Sequence, residues 1–190
     1  YLYKTMSEAR SSAKYIYETS KTYKSNLEYP KNPFGKQLKT TAEFINSHLE
    51  SKVYYASMGG FDTHANQFNR QDRLLSTFSS AMDVFVKDLK QNNTFKDTLI
   101  LVFSEFGRRV QQNGAGGTDH GAANNVYIIG ENLKKKGFYN NAPDLLSLDK
   151  NGDLIHTVDF RSIYASILDK WLEVDDVSIL NKTFRKLDFI

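Results

Sequence analysis

The stretch GGFDTHANQ, residues 59–67, sets an acid and a histidine two residues apart behind a pair of glycines. In extended backbone, side chains at i and i+2 leave the chain on the same side. Asp62 and His64 could therefore reach one ion together, whereas a helix would turn them roughly 200° apart. Gly59 and Gly60 allow the chain to bend sharply just before them. A carboxylate with an imidazole suits zinc, manganese or iron, zinc most often. Two ligands do not hold a metal, and His120, in GGTDHG, is the best third. Asp119 beside it and Glu105, in SEFGRR, offer hard oxygen ligands for the same ion or a neighbouring one. Arg108 and Arg109 could clamp a phosphate or sulfate oxyanion; an ion pair with Glu105 or another surface acid carries equal weight.

Taken singly, each motif is weak. A lone Asp-x-His is more often a turn with an Asp cap than a metal site. The argument for a site is co-location, which depends on the elements that carry these residues. Hydrophobic spacing predicts helices near 5–24 (Ala9, Ala13, Ile16, Tyr17), from Gly35 to about Ser51 (Leu38, Ala42, Phe44, Ile45, Leu49), and from about Asn66 to Gln91 (Leu74, Leu75, Phe78, Ala81, Met82, Phe85, Leu89). A fourth helix lies within 156–173 behind an Asp159 cap, and a short one lies near 175–181. EYPKNPFG, 28–35, reads as a loop. KVYYASM (52–58), TLILVF (98–103) and NVYIIG (125–130) read as strands. TLILVF is apolar on both faces, as strands of parallel sheets are. A glycine-rich loop spans 104–124, and DKNGD suggests a short hairpin within the irregular 131–155.

This order of elements predicts an α/β fold, a mainly parallel sheet flanked by helices. Ligands of open α/β sheets sit beyond the carboxyl ends of the strands. Asp62 and His64, Glu105, and Asp119 with His120 all fall on loops assigned to that edge. His48 sits among polar neighbours and reads as solvated. His156 could support a neighbouring ligand or do nothing. Gln67 and Asn66 could cap the long helix or steady a ligand.

The 190 residues suit one domain, with 40% hydrophobic and 25% charged side chains. A net charge of +3, without a dense basic block, gives no argument for nucleic acid or an anionic membrane. The 13 Phe and 11 Tyr are read as core filling, the usual use of aromatics at this level. Absence of cysteine excludes thiolate chemistry and a disulfide framework. No apolar run is long enough to span a membrane. YLYKTMSEAR lacks the apolar stretch of a signal peptide and opens mid-helix without Met, which implies a piece of a longer protein. There is no Gly-x-Ser-x-Gly elbow, phosphate-binding P-loop or dinucleotide fingerprint.

Together GGFDTHANQ, LILVFSEFGRRVQQNGAGGTDHGAAN and TVDFRSIYASILDKWL resemble the bacterial DUF1501 family, over roughly residues 30–175. That family is similar to the alkaline phosphatase and sulfatase superfamily of metal-dependent enzymes acting on phosphate and sulfate esters. The resemblance implies that residues 1–190 are the C-terminal part of a single alkaline-phosphatase-like domain. The missing N-terminal half would lie on the same or a separate chain. It further implies an extracytoplasmic protein: periplasmic, secreted or at the cell surface. Asp62, His64 and His120 would hold one metal, Zn²⁺ by type. Glu105 would serve a second site holding Zn²⁺, Mg²⁺, Ca²⁺ or Mn²⁺. Two departures stand out: Phe106, where the superfamily usually has a ligating histidine, cannot ligate, and Asp-x-His replaces the longer Asp-x-x-x-His.

Two functions follow as expectations. One is a metal-dependent hydrolase of anionic phosphate or sulfate esters, with Arg108 or Arg109 stabilising the transition state. The other is a non-catalytic binding or structural component of a bacterial surface or secreted assembly that keeps the fold, for which Phe106 is the main support.

Overall fold

The computed structural model of the chain describes residues 2–190. These form two compact units. One comprises the described residues up to Phe61 together with Asp72–Lys96; the other comprises Asp62–Gln71 and Asp97–Ile190.

The first unit is helical. Helix α1, Leu2–Thr19, follows the expected periodicity but buries none of its residues, so the stripe of Ala9, Ala13, Ile16 and Tyr17 faces solvent. Helix α2 runs Pro33–Asn46. It begins two residues before the expected Gly35 because Asn32 caps it, accepting from the Gly35 amide at 2.8 Å, and Pro33 fits the first helical position. Helix α3, Gln67–Gln91, starts in the second unit and supplies the first with an apolar face of Ala81, Met82, Phe85 and Leu89. These are buried at helical spacing, as are Phe34, Leu38 and Ala42 of α2, and Phe34 stacks on Phe78 of α3 with ring centroids 5.9 Å apart. Asp88 lies on that same buried face.

Exposure alternates over residues 53–58, as expected of a strand, but residues 52–58 join no ladder among the described residues. The Gln37 side-chain amide takes the place of a partner strand at Ser57. It donates to the Ser57 carbonyl at 3.1 Å and accepts from the Ser57 amide at 3.0 Å.

The second unit holds the strands. β1 (Ile100–Val102) pairs antiparallel with β4 (Tyr127–Ile129). β2 (Gly107–Gln112) pairs antiparallel with β3 (Thr118–Gly121), with Arg108 opposite His120. The mainly parallel, alkaline-phosphatase-like sheet expected from the sequence is therefore corrected: among the described residues there are two antiparallel pairs and no parallel sheet. β1 is apolar but only half buried, so the run that suggested a doubly covered strand is short and paired on one side. The stretch 104–124, expected as an irregular loop, contains the β2–β3 hairpin. Helix α4, Phe160–Lys170, begins behind the Asp159 cap, and α5 spans Asp176–Leu180. The DKNGD turn closes as expected, with Leu148 bridging Leu154 and Gly152 at φ +80°. Among the described residues no helix is long and apolar enough to cross a membrane.

Candidate metal centre

Residues 61–65 and the β2–β3 hairpin build one cluster. The extended segment alternates: Thr63 is fully buried, and Asp62 and His64 are exposed on the other side. Gln71 fixes Thr63 from the second turn of α3, its amide donating to the hydroxyl at 3.2 Å. The segment then runs antiparallel to the hairpin tip, where Ala65 bridges Gly116. The amides of Asn66 and Gln67 donate to the carbonyls of Ala115 and Gly116. Gly117 is required by this approach, since a Cβ there would stand 2.2 Å from the His64 carbonyl carbon.

Asn113 is the staple of the tip. Its side-chain oxygen accepts from the Ala115 and Gly117 amides, and its side-chain nitrogen donates to the His64 carbonyl at 2.9 Å. Thr118 is tied to Gln67, hydroxyl to amide oxygen, at 2.9 Å.

Three donor atoms converge on this frame. Asp62 Oδ1 lies 2.8 Å from His120 Nε2 and 2.9 Å from His64 Nε2, and the two Nε2 atoms are 3.2 Å apart. Bond lengths of about 2.0–2.1 Å in a tetrahedron place ligand atoms about 3.3 Å from each other. The observed triangle, with edges of 2.8, 2.9 and 3.2 Å, is one face of that figure drawn in by up to about half an ångström. His64 Nδ1 stands 3.3 Å from Asp119 Oδ1. A proton held there leaves Nε2 of a neutral ring with a bare lone pair, aimed at a carboxylate oxygen and a second ring nitrogen. His120 Nε2 has at most one proton for its two close neighbours. Neutral rings thus set lone pairs against each other; a cation in the triangle, or an imidazolium, removes the conflict. The donor set fits a divalent metal, and the half-exposed Asp62, His64 and His120 leave its outer side open to solvent.

The surroundings hold the carboxylates charged and oriented. The His120 hydrogen bond, helped by the charges of His64, His120 and Arg108, keeps the Asp62 carboxyl below its ordinary value. Asn113 and then His64 do the same for Asp119 by hydrogen bonding. Arg108 is mostly buried, at 17% side-chain exposure, donates to the Thr118 carbonyl at 2.7 Å and reaches Asp62 Oδ1 at 3.3 Å.

The residues expected from the sequence therefore separate. Asp62, His64 and His120 have donor atoms all within 4.8 Å of one another. Asp119 supports His64 from outside, and Arg108 braces Asp62. Arg109 stands 3.4 Å from Asp153 instead. Glu105 is exposed and outside the donor group. His48 is exposed, at φ +54°, and His156 is exposed too. Two contributors were not foreseen. Asn113 had its place in the NGAGG turn as a signal. Phe106, noted only as a missing ligand, stacks on His120 with ring centroids 3.9 Å apart and an interplanar angle of 13°.

An open Asp-His-His donor set carried on a short extended segment and a β-hairpin defines the site. The chain belongs to the family described as "Protein of unknown function (DUF1501)", whose model matches residues 14–179. No curated protein and no solved structure matches the chain.

Proposed function

We propose that Asp62, His64 and His120 hold one divalent ion, Zn²⁺ by donor type, and that the protein uses it to hydrolyse phosphate or sulfate esters. The observation that carries the reading is the 2.8, 2.9 and 3.2 Å triangle of lone-pair atoms. A bound zinc supplies Lewis-acid polarisation of an ester oxygen and acidifies water. The chain's own part is to fix the donors. Asp119 sets the His64 ring, leaving Nε2 to the ion. Arg108 neutralises part of the Asp62 charge and gives the site a positive border that favours an anionic ester. Exposure of all three donors lets a substrate reach the ion directly. The ester class comes from the family resemblance, and the reading rests on the site rather than on the sheet. Glu105 lies outside the donor group, so one ion per chain is expected. An extracytoplasmic location follows from the same resemblance and is tested by cell fractionation.

The test is elemental analysis of the purified protein after loading with zinc, repeated on His64→Ala and His120→Ala. About one zinc per chain is expected, and each variant should lose at least about 100-fold in affinity, more than loss of an outer partner costs. A screen of phosphate and sulfate mono- and diesters follows, with and without chelator. Metal-free protein, or variants that bind zinc as the parent does, would sink the reading. Zinc binding without chelator-sensitive turnover would reduce it to a metal-binding protein.

A further inference from the structure

Phe106 occupies the position where the family resemblance implies a ligand, and its ring does something else. It lies nearly parallel to the His120 imidazole, centroids 3.9 Å apart and planes 13° from coplanar. Arg108, the cross-strand partner of His120, brings its guanidinium to 5.1 Å from the Phe106 centroid. The backbone is pinned at Phe106 and just after it. Asn124 donates to its carbonyl at 2.8 Å, and the next residue, Gly107, approaches the Ala123 carbonyl so closely that a Cβ there would stand 1.7 Å from the oxygen. A half-buried aromatic on so constrained a backbone is a fixed wall.

An exposed histidine ordinarily samples several χ1 and χ2 wells. His120 is about half exposed, and its Nε2 contacts are Asp62 and His64, themselves exposed. Hydrogen bonds between such groups compete with water. The flat face of Phe106 restricts the ring plane, so that Nε2 points into the triangle without needing the ion to hold it there. We propose that Phe106 is a positioning residue: its ring presets His120 as the third donor and thereby sets the affinity of the site for its metal. The inference rests on the metal reading above. It turns the apparent loss of a ligand into a device for orienting the one beside it, and predicts a planar aromatic requirement at 106.

Zinc alone is the probe, titrated calorimetrically into the metal-free full chain, with Phe106→Leu, Phe106→Ala and Phe106→Tyr compared. Leu keeps apolar bulk but not the flat face. Loss of an orienting partner typically costs 10–100-fold in metal affinity. Leu and Ala are expected to weaken zinc by about that factor, and Tyr to restore it to within about threefold. Thermal midpoints of the metal-free proteins report folding separately. The His120 ring proton resonances give a readout that needs no metal. Stacking on Phe106 shifts them upfield in the parent and in Tyr, and the shift should vanish in Leu. Parent protein that binds zinc while Leu binds it equally tightly overturns the inference and leaves the metal reading standing. Parent protein that binds no zinc overturns the metal reading. In that case His120 resonances unchanged in Leu overturn the positioning role as well, and their collapse to solvent-averaged values in Leu supports it.

Discussion

Two carboxylates in this chain are surrounded by polar side chains, with opposite consequences. Asp88, in the first unit, is fully buried on the apolar face of α3. Its oxygens accept from Tyr23 at 2.7 Å, Tyr29 at 2.8 Å, and the side-chain amides of Asn46 and Asn92 at 3.2 Å each. Every neighbour is a neutral donor, and among the described residues no cation pairs with it. Burial, with the Asp88 hydrogen bond next, pushes both phenols up from their ordinary values, which keeps them protonated and donating. Asp62, in the second unit, is exposed, and two of its nearest atoms are ring nitrogens that carry lone pairs as readily as protons. A saturated, buried acid has nothing left to offer a ligand and acts as a structural clamp. The Asp62 carboxylate meets Arg108 at 3.3 Å but stays exposed, with room beside its ring-nitrogen neighbours for the cation of the proposed site. Saturation, more than residue type or burial alone, separates the clamp from the site.

The sharpest way to break this comparison is to exchange its readouts. Asp88→Ala strands the buried Tyr29 phenol and Asn46 amide, each unsatisfied buried group costing about 1–3 kcal/mol, while the half-exposed Tyr23 and Asn92 can turn to water. Partial relaxation and water entry reduce the sum, and a loss of roughly 3 kcal/mol or more in chemical unfolding is expected, with zinc affinity unchanged in protein that still folds. An Asp88 variant of parental stability would mean that saturation does not mark a clamp. A smaller effect tests the other side. Asp119→Asn removes the charge behind His64 but keeps an acceptor within reach of Nδ1. It should weaken zinc by about tenfold, the low end for an outer partner, and leave unfolding of the metal-free protein essentially unmoved. Competition titration against a chromophoric chelator measures the first, and denaturant unfolding of the metal-free protein the second. A stability loss without an affinity loss would place Asp119 with the clamps.

What the sequence disclosed and what it concealed have the same physical origin. Periodicity reports burial, so it located α3, whose apolar positions face a core. The Asp159 cap was legible because capping chemistry is local. The pairing of Asp62 with His64 could be anticipated because extended backbone alternates regardless of what it pairs with, whereas His120 was joined to them through the shared edge of a parallel sheet that the described residues do not form. Strand pairing was not legible. TLILVF is as apolar as a doubly covered strand, yet β1 is three residues long and meets β4 antiparallel. Arg109, Gln111 and Gln112 of β2 face solvent, so GRRVQQ has no apolar alternation to reveal a hairpin. Nor did periodicity show that the apolar positions of α1 lie exposed. The stacking of Phe106 on His120 was not legible for a related reason: a residue type says whether it can ligate, not which ring it lies against.

Asp159 falls between the two extremes and gives the finest test. It is partly exposed, caps α4 by accepting from the Arg161 amide at 2.9 Å, and pairs with the Arg161 guanidinium at 2.7 Å. It is thus saturated, like Asp88, but charged on both sides, like Asp62. The Arg161 side-chain hydrogen bond foremost, with the helix amide second, holds its carboxyl down at about 2 against an ordinary 3.8. A depressed acid stabilises the fold above its unfolded value and loses that contribution as pH falls through the folded one. The contribution of Asp159 should therefore be whole above about pH 4 and fade between about pH 4 and 2. Two substitutions separate its parts. Asp159→Asn keeps an oxygen for the cap and removes the charge, so at neutral pH it should cost well under 1 kcal/mol, the worth of an exposed ion pair. Asp159→Ala loses the cap as well, for a total of about 1 kcal/mol. Unfolding measured from pH 7 down to 2 should show the parent converging on Asn at the acid end, with Ala remaining below both. Convergence that begins well above pH 4 would show that the pairing does not hold Asp159 ionised. No convergence at all would mean that its charge contributes nothing and that Asp159 acts as a neutral cap would.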